Sequence, residues 1–113
     1  MSSGPELAVV WGATGYVGRQ LARALVASGW RVRALVRDPE TANLAALAGV
    51  EVRGISMRSS RQAMVDALAG ANVVYHCAGH GDGSSFALHN FVEGTAAFAQ
   101  AAREAGVRRY IQL

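Results

Sequence analysis

Three glycines, Gly12, Gly15 and Gly18, separate an apolar run from a helix-like run in the stretch VVWGATGYVGRQLARAL. Glycines at this spacing arise by chance, so the flanking residues decide what they indicate. The preceding LAVVW, residues 7–11, is typical of a short buried strand, and the following YVGRQLARALVASG is typical of a helix. Its predicted apolar face consists of Val17, Leu21, Ala24, Leu25 and Ser28.

The rest of the chain repeats this alternation of strand and helix. Further strands are predicted over 31–36, 50–55, 71–79 and 107–113, and further helices over 40–49, 60–70 and 86–106. Short apolar strands separated by helices predict a parallel sheet covered on both faces. Right-handed crossovers then favour an α/β, doubly wound, Rossmann-like sheet of five strands in the order 3-2-1-4-5. We expect one domain over residues 1–113, truncated after the fifth strand and lacking the C-terminal strands and substrate region.

Composition excludes several classes of protein. No apolar run approaches the about 20 residues of a membrane span, and the N-terminal MSSGPE does not resemble a signal peptide. All 11 residues counted as lysine or arginine are arginines; they are dispersed and leave a net charge of +3, which argues only weakly for nucleic acid. The single cysteine, Cys77, excludes a disulfide framework and fits a reducing compartment. We therefore expect a cytoplasmic protein with no nucleic-acid or membrane partner.

Each glycine of the motif has a physical reason in this context. Gly12 allows a sharp exit from the strand, Gly15 lets a pyrophosphate approach the backbone, and Gly18 lets the helix pack closely on the sheet. The N–H groups at the start of the helix and the positive end of its dipole favour phosphate. The motif predicts a dinucleotide site, the alternative being a glycine-rich turn without a ligand.

The residues that end the second strand indicate which dinucleotide binds. A free ribose 2′-hydroxyl usually meets an acidic residue about 20 positions past the glycines. Val36 stands there instead and Arg37 follows it, which favours a 2′-phosphate and therefore NADP, with NAD as the alternative. Arg37 could equally be a solvated surface arginine. Asp38 precedes Pro39, so its simplest role is to cap the second predicted helix.

The segment WGATGYVGRQLARALVASGWRVRALVRDP resembles the opening of extended and atypical short-chain dehydrogenases/reductases. ALAGANVVYHCAG resembles the fourth strand of that family, and FVEGTAAFAQAAREAGVRRYIQL its fourth helix and fifth strand. The resemblance implies NADP binding at the glycine turn and Arg37, with Cys77, Ala78 and Gly79 beside the nicotinamide ribose. The cofactor-binding residues predicted in all are Gly12, Thr14, Gly15, Tyr16, Val17, Gly18, Arg37, Ile55, Ser56, Cys77, Ala78 and Gly79.

The chain also departs from the family pattern. Ile55-Ser56 stands where the family carries an aspartate followed by an aliphatic residue that meets adenine, and Phe91 stands where asparagine is common. The family's catalytic serine or threonine and Tyr-x-x-x-Lys pair follow the fifth strand, and this chain contains no lysine. We therefore predict no catalytic residue here. The chain is either the NADP-binding part of an oxidoreductase or epimerase, a non-catalytic regulatory module, or a truncated domain that self-associates.

Two further patterns bear on metal binding and on assembly. His76, Cys77, His80, Asp82 and His89 lie close in sequence, but neighbours on a strand point to opposite faces, so we expect no metal site and a small, buried Cys77. The fifth strand, RRYIQL, would leave an unpaired apolar edge that invites another chain. The long helix carries one apolar stripe and, about 100° around from it, Phe91 and Phe98. One face can cover the sheet while the other meets a partner helix, so we expect a homodimer or larger assembly. The stripe consists of Leu88, Val92, Thr95, Ala96 and Ala99.

Overall fold

The structure is a computed structural model, and it describes residues 6–39, 49–79 and 85–113. Five strands form one parallel sheet in the order β3-β2-β1-β4-β5, so the predicted fold is confirmed. No helix in the described ranges is long and apolar enough to cross a membrane. The elements in chain order are β1 (Leu7–Trp11), α1 (Tyr16–Ala27), β2 (Arg31–Val36), β3 (Glu51–Gly54), α2 (Arg61–Leu68), β4 (Val73–His76), α3 (Ser85–Glu104) and β5 (Arg109–Gln112).

The predicted element types agree with the structure, and the differences lie at their ends. β1 and β2 have the predicted bounds, whereas β3, β4 and β5 are shorter than their apolar runs because the flanking residues leave the ladder. The helix predicted over 40–49 lies outside the described residues up to position 48, and so does most of the glycine-rich loop. The predicted role of Asp38 as the cap of that helix therefore stays a prediction.

Alternation along the strands sends side chains to two separate cores. Leu7, Val9 and Trp11 face α2 and α3, whereas Ala8 and Val10 face α1. Every residue of β1 is buried because the strand lies in the middle of the sheet with a helix layer on each side. Because all the strands are parallel, their carboxyl ends lie together at one edge of the sheet.

The face that helix α1 presents to the sheet agrees only in part with the predicted one. Leu25 is buried and Leu21 packs against the core as predicted, whereas Val17, Ala24 and Ser28 are exposed. The buried residues of α1 are Gly18, Ala22 and Leu25, while Val17 is 56% exposed and Ala24 is also on the solvent side. A prediction from hydrophobic periodicity does not count glycine as a buried position. Gly18 is nevertheless buried, because only a residue without a side chain fits where α1 passes closest to the turn at Gly12. The close approach at Gly18 therefore sets the rotation of the helix.

Helix α3 covers the sheet with its inner face and leaves its other face open. Phe98, Ala101 and Ala102 are buried against the sheet. Leu88 is 49% and Val92 57% exposed, so this part of the predicted stripe lies on the open face of the helix. Ala96 and Ala99 are also exposed.

Thr95 was predicted to share one stripe with Leu88, Val92, Ala96 and Ala99, but it differs from them in exposure. The residue is half-buried, and its hydroxyl lies 3.1 Å from Nε2 of His76. Its short polar side chain bonds inward, which an assignment by apolar spacing cannot anticipate.

Arg33, one of the dispersed arginines, is buried and links β2 to β3 and to the end of α2 through hydrogen bonds. Arg33 is 7% exposed; its Nε donates to Glu51 Oε1 at 2.8 Å, and its Nη1 donates to the carbonyls of Ala67 and Ala69 at 2.8 and 2.9 Å. The guanidinium thus caps the carboxyl end of α2 and neutralises a carboxylate on β3. The hydrogen bond from Arg33 is the main reason that the pKa of Glu51 lies below its usual range.

Candidate functional site

A cleft of about 310 Å³ opens at the carboxyl ends of four adjacent strands. It lies where the chain, having run outward from β1 to β3, crosses back to β4, which is where open α/β sheets bind ligands. Its walls follow the strand order, from the residues after β3, past the ends of β2 and β1, to those after β4. The lining residues are Trp11, Gly12, Thr14, Gly15, Leu35, Val36, Arg37, Ile55, Ser56, Met57, Cys77, Ala78 and Gly79.

Two of the three motif glycines are required by the protein itself. Gly12 has a φ of +86°, and a Cβ there would lie 2.7 Å from the backbone nitrogen of Ala78. A Cβ on Gly18 would lie 2.2 Å from the carbonyl oxygen of Gly12. Both contacts are with backbone, which cannot move aside as a flexible side chain can. These glycines bring β1, β4 and α1 together beneath the cleft.

Gly15 is different, because the protein leaves room for a side chain there. Its φ of −74° and ψ of 168° suit any residue, and a Cβ would meet only the Gly12 oxygen, at 3.4 Å. Gly15 is the N-cap of α1 and offers no side-chain cap, and the first turn carries no acidic residue. The N–H groups of that turn therefore need an acceptor from outside the helix. The open space over Gly15 and these donors suit an anion.

At the wall of the cleft formed by β2 and β3, the exposed side chain of Arg37 lies next to buried apolar residues. Arg37 is exposed at the end of β2, next to Val36, which is 3% exposed. The N–H of Ile55 donates to the Val36 carbonyl at 2.8 Å, so the pairing between β2 and β3 continues one residue beyond the end of β3. The Ser56 N–H donates to Ser59 Oγ at 2.9 Å, and its hydroxyl accepts from the Arg58 N–H at 3.1 Å.

The wall formed by β4 is made mainly of backbone and small side chains. The N–H of Cys77 donates to the Trp11 carbonyl at 2.8 Å, which extends the β1–β4 pairing. Cys77 is half-buried, and burial raises the pKa of its thiol, so the group is not an activated nucleophile. Ala78 and Gly79 continue this wall of the cleft.

A buried histidine lies beneath this floor. His76 is fully buried, and its ring centroid is 4.6 Å from that of Trp11, a residue that also lines the cleft. Its Nδ1 is buried without a hydrogen-bond partner in the described part of the chain. Desolvation lowers the pKa of His76 to about 4, so the ring is neutral near pH 7. His76 and Cys77 belong to opposite faces of the sheet, as predicted.

Comparison with known proteins places the chain in a family. A family model described as the NmrA-like family matches residues 6–112. This chain belongs to the NmrA-like family. This chain is 41% identical over 108 residues to "Sterol demethylase protein B" of Methylococcus capsulatus. The alignment covers 91% of this chain and 32% of that protein. This chain is also 41% identical over 103 residues to "Ceramide reductase" of Caulobacter vibrioides, with 88% and 32% covered.

A solved structure with a bound ligand also resembles the NmrA-like chain. It is a short-chain dehydrogenase/reductase superfamily protein from Agrobacterium tumefaciens with bound NAD. The TM-score is 0.76 at 31% identity, over 95% of this chain and 32% of that one. The NmrA-like chain thus spans about a third of the length of these relatives. The predicted resemblance to short-chain dehydrogenases/reductases is confirmed.

Most of the residues predicted for cofactor binding in the NmrA-like chain meet in the cleft. Tyr16 and Val17 do not line it, being 83% and 56% exposed, and Gly18 is buried under the turn. His80 and Asp82, weighed as metal ligands, lie outside the described residues; the described part holds no group of three or more metal-ligating side chains. The predicted residues that line the cleft are Gly12, Thr14, Gly15, Arg37, Ile55, Ser56, Cys77, Ala78 and Gly79.

Four lining residues were not among the predicted site residues. Leu35 and Val36 end β2, and strand ends at this edge could have indicated them. Trp11 had no predicted role; it closes the floor by packing against His76 and Phe98. Met57 follows Ile55-Ser56 and carried no signal in the sequence; it lines the cleft while its Cβ and sulfur lie against Gly94 of α3.

Proposed function

We propose that this chain is the NADP-binding part of an oxidoreductase or epimerase related to the short-chain dehydrogenases/reductases. The observation that carries the proposal is Gly15, a glycine that the protein does not need for its own packing, at the mouth of the cleft and at the start of a helix. A pyrophosphate needs close approach and free N–H donors at that place. The NAD bound by the Agrobacterium tumefaciens relative supports a nicotinamide dinucleotide as the ligand class.

The order of the walls then orients the cofactor. With the pyrophosphate over Gly12 and Gly15, the adenosine half lies toward Arg37 and the residues after β3, and the nicotinamide half lies toward Cys77, Ala78 and Gly79. Thr14 lines the cleft beside the phosphates. Tyr16, Val17 and Gly18 contribute through the backbone N–H groups of the first turn of α1 rather than through side chains.

Arg37 supports NADP over NAD. Arg37 is exposed at the end of β2, where the adenosine ribose would lie, and the neighbouring Val36 cannot accept a hydrogen bond from a 2′-hydroxyl through its side chain. Hydrogen bonds between a guanidinium and a phosphate contribute about 1.5–3 kcal/mol. This corresponds to about a ten- to hundredfold preference for NADP.

The test is a calorimetric titration of NADP and NAD into the original chain and into Arg37→Ala. We expect the variant to lose most of the preference while its affinity for NAD stays nearly unchanged. Arg31→Ala is the matched control, because Arg31 is an exposed arginine at the opposite end of the same strand. Equal affinity of the original chain for the two cofactors would overturn the role of Arg37.

The reaction belongs to the whole protein and stays a proposal. The chain contains no lysine, so these 113 residues hold no Tyr-x-x-x-Lys pair to pass a proton while hydride moves. We propose that residues 1–113 form one cofactor-binding unit and that groups outside them perform proton transfer. A regulatory module that binds dinucleotide without turnover would show the same binding, and only turnover by a longer chain separates the two roles.

We further propose that this unit pairs with a second copy of itself. The outer face of α3 exposes an apolar stripe that includes Leu88 and Val92, both about half exposed. Exposed apolar surface of this kind favours association between chains. A cytoplasmic location stays a prediction that rests on the single free cysteine.

A further inference from the structure

A second cavity opens at the opposite edge of the sheet, where the strands begin. Its volume is about 250 Å³, and it shares no lining residue with the cleft. We propose that this cavity binds a small organic anion, a monocarboxylate that carries one planar apolar ring. The inference is independent of the proposed dinucleotide function, because the two sites lie at opposite ends of the same strands.

Asn72, which lines this cavity just before β4, provides a fixed hydrogen-bond donor. Its Oδ1 accepts from the Leu7 N–H at 2.9 Å, and its own N–H donates to the Leu7 carbonyl at 2.8 Å. Its carbonyl accepts from the Arg109 N–H at 3.3 Å. These three bonds join the starts of β1, β4 and β5 and hold the side-chain oxygen toward β1. The Nδ2 group has no acceptor among the described residues, so its protons are available to a ligand.

Two arginines beside Asn72 carry the positive charge of the cavity. Arg108 and Arg109 are exposed and line it, and neither guanidinium has an ion pair or a hydrogen bond within the described part of the chain. Arg109 pairs in register with Val73, so both side chains lie on the face of the sheet that α1 covers. A guanidinium next to a fixed amide donor suits a carboxylate, which accepts hydrogen bonds from both.

The charge of the lining favours a monoanion. Glu6 is the one carboxylate among the described lining residues, so two arginines stand against one glutamate and the net charge is +1. A carboxylate balances that charge, whereas a phosphate dianion exceeds it and meets the repulsion of Glu6.

Aromatic side chains form another part of the lining. Trp30 directly precedes β2 and Tyr75 lies on β4; both pack against the core beneath α1 and stay partly accessible. Aromatic side chains stack on, or pack edge to face with, planar rings. The volume lies just below the about 300–1,000 Å³ that is typical of small-molecule sites, so it suits a ligand of a single ring.

The first test is a calorimetric titration of the original chain with benzoate, with benzamide and with inorganic phosphate. Benzamide has the ring without the charge, and phosphate has the charge without the ring. We expect benzoate to bind with a dissociation constant of about 1 mM or lower, and the other two to bind at least about tenfold more weakly. No binding of benzoate at about 10 mM would overturn the proposal, and so would equal affinity for benzamide or for phosphate.

Two variants locate the ligand. Asn72→Asp keeps an oxygen for the Leu7 N–H but replaces the Nδ2 donor by a charged acceptor, and Arg109→Gln removes one guanidinium. We expect each to weaken benzoate by at least about tenfold, because each removes a hydrogen bond to a charged group. Arg103→Gln is the matched control: Arg103 is an exposed arginine at the end of α3 that does not line the cavity, and its loss should change the affinity by less than about twofold. Unchanged benzoate affinity in either Asn72→Asp or Arg109→Gln would show that the anion binds elsewhere and would overturn the assignment.

Discussion

Replacing Gly15 with alanine separates binding from folding. In Gly15→Ala the new methyl group meets only the Gly12 oxygen, at 3.4 Å, which is ordinary contact. Alanine is a poorer N-cap than glycine by up to about 1 kcal/mol. It also reduces the entropy of the unfolded chain, which stabilises by about 0.4–1 kcal/mol. The two effects nearly cancel, so we expect the free energy of unfolding to change by less than about 1 kcal/mol.

Gly18→Ala is the matched contrast, three residues away in the same motif. Its Cβ would lie 2.2 Å from the Gly12 oxygen and 2.8 Å from the Gly12 carbonyl carbon. Alanine gains about 1 kcal/mol in helix propensity over glycine. Forcing backbone apart costs about 1–3 kcal/mol, and a contact this far inside van der Waals range takes the upper end. A cost of about 3 kcal/mol less the gain of about 1 kcal/mol leaves an expected net loss of about 2 kcal/mol.

The assay joins thermal unfolding to titration with NADP. A chain of 113 residues has an unfolding entropy of about 0.24 kcal/mol/K, so 1 kcal/mol shifts Tm by about 4 °C. We expect Gly15→Ala to stay within about 4 °C of the original chain and to lose at least tenfold in NADP affinity, or about 1.4 kcal/mol. Gly18→Ala should lower Tm by about 8 °C.

Two results would refute this reasoning. If Gly15→Ala keeps full NADP affinity, the space over Gly15 does not hold the pyrophosphate, and the central argument for the cofactor site fails. If Gly15→Ala lowers Tm as much as Gly18→Ala does, then Gly15 is structural, and its glycine gives no information about a ligand.

Three other predictions concern stability, turnover and assembly. The pKa of His76 is about 4 in the folded chain and 6.5 in the unfolded chain, so the unfolded chain takes up a proton first as the pH falls. The free energy of unfolding should therefore be unaffected by His76 above pH 6.5 and decrease by about 3 kcal/mol as the pH falls to 4. Denaturant unfolding at several pH values should show this decrease in the original chain and not in His76→Gln. The isolated chain should show no NADPH-dependent turnover of carbonyl or sugar-nucleotide substrates, and a steady absorbance change proportional to protein would contradict that. Light scattering at micromolar concentration should give the mass of a dimer or a larger assembly for the original chain. Val92→Glu, on the exposed face of α3, should lower that mass, and a monomer mass for the original chain would count against self-association.

The architecture could be predicted from local sequence signals. Apolar runs ended by glycine mark the strands, and the spacing of Gly12, Gly15 and Gly18 after β1 marks the turn that opens α1. Helices between parallel strands leave few topologies, because crossovers are right-handed and connections are short. The strand order and most of the cleft therefore follow from signals that act within about 30 residues along the chain.

Other features depend on contacts between distant residues, and only the tertiary structure decided them. The rotation of α1 follows from the clash at Gly18, which no hydrophobic pattern records. Arg33 became a buried cap because β2 runs beside the end of α2, and Thr95 turned inward because His76 lies opposite it. The sequence by itself determined which of the described elements form and which glycines shape the turn after β1. Packing decided which side chains meet, because contact energies depend on positions that only the folded chain brings together.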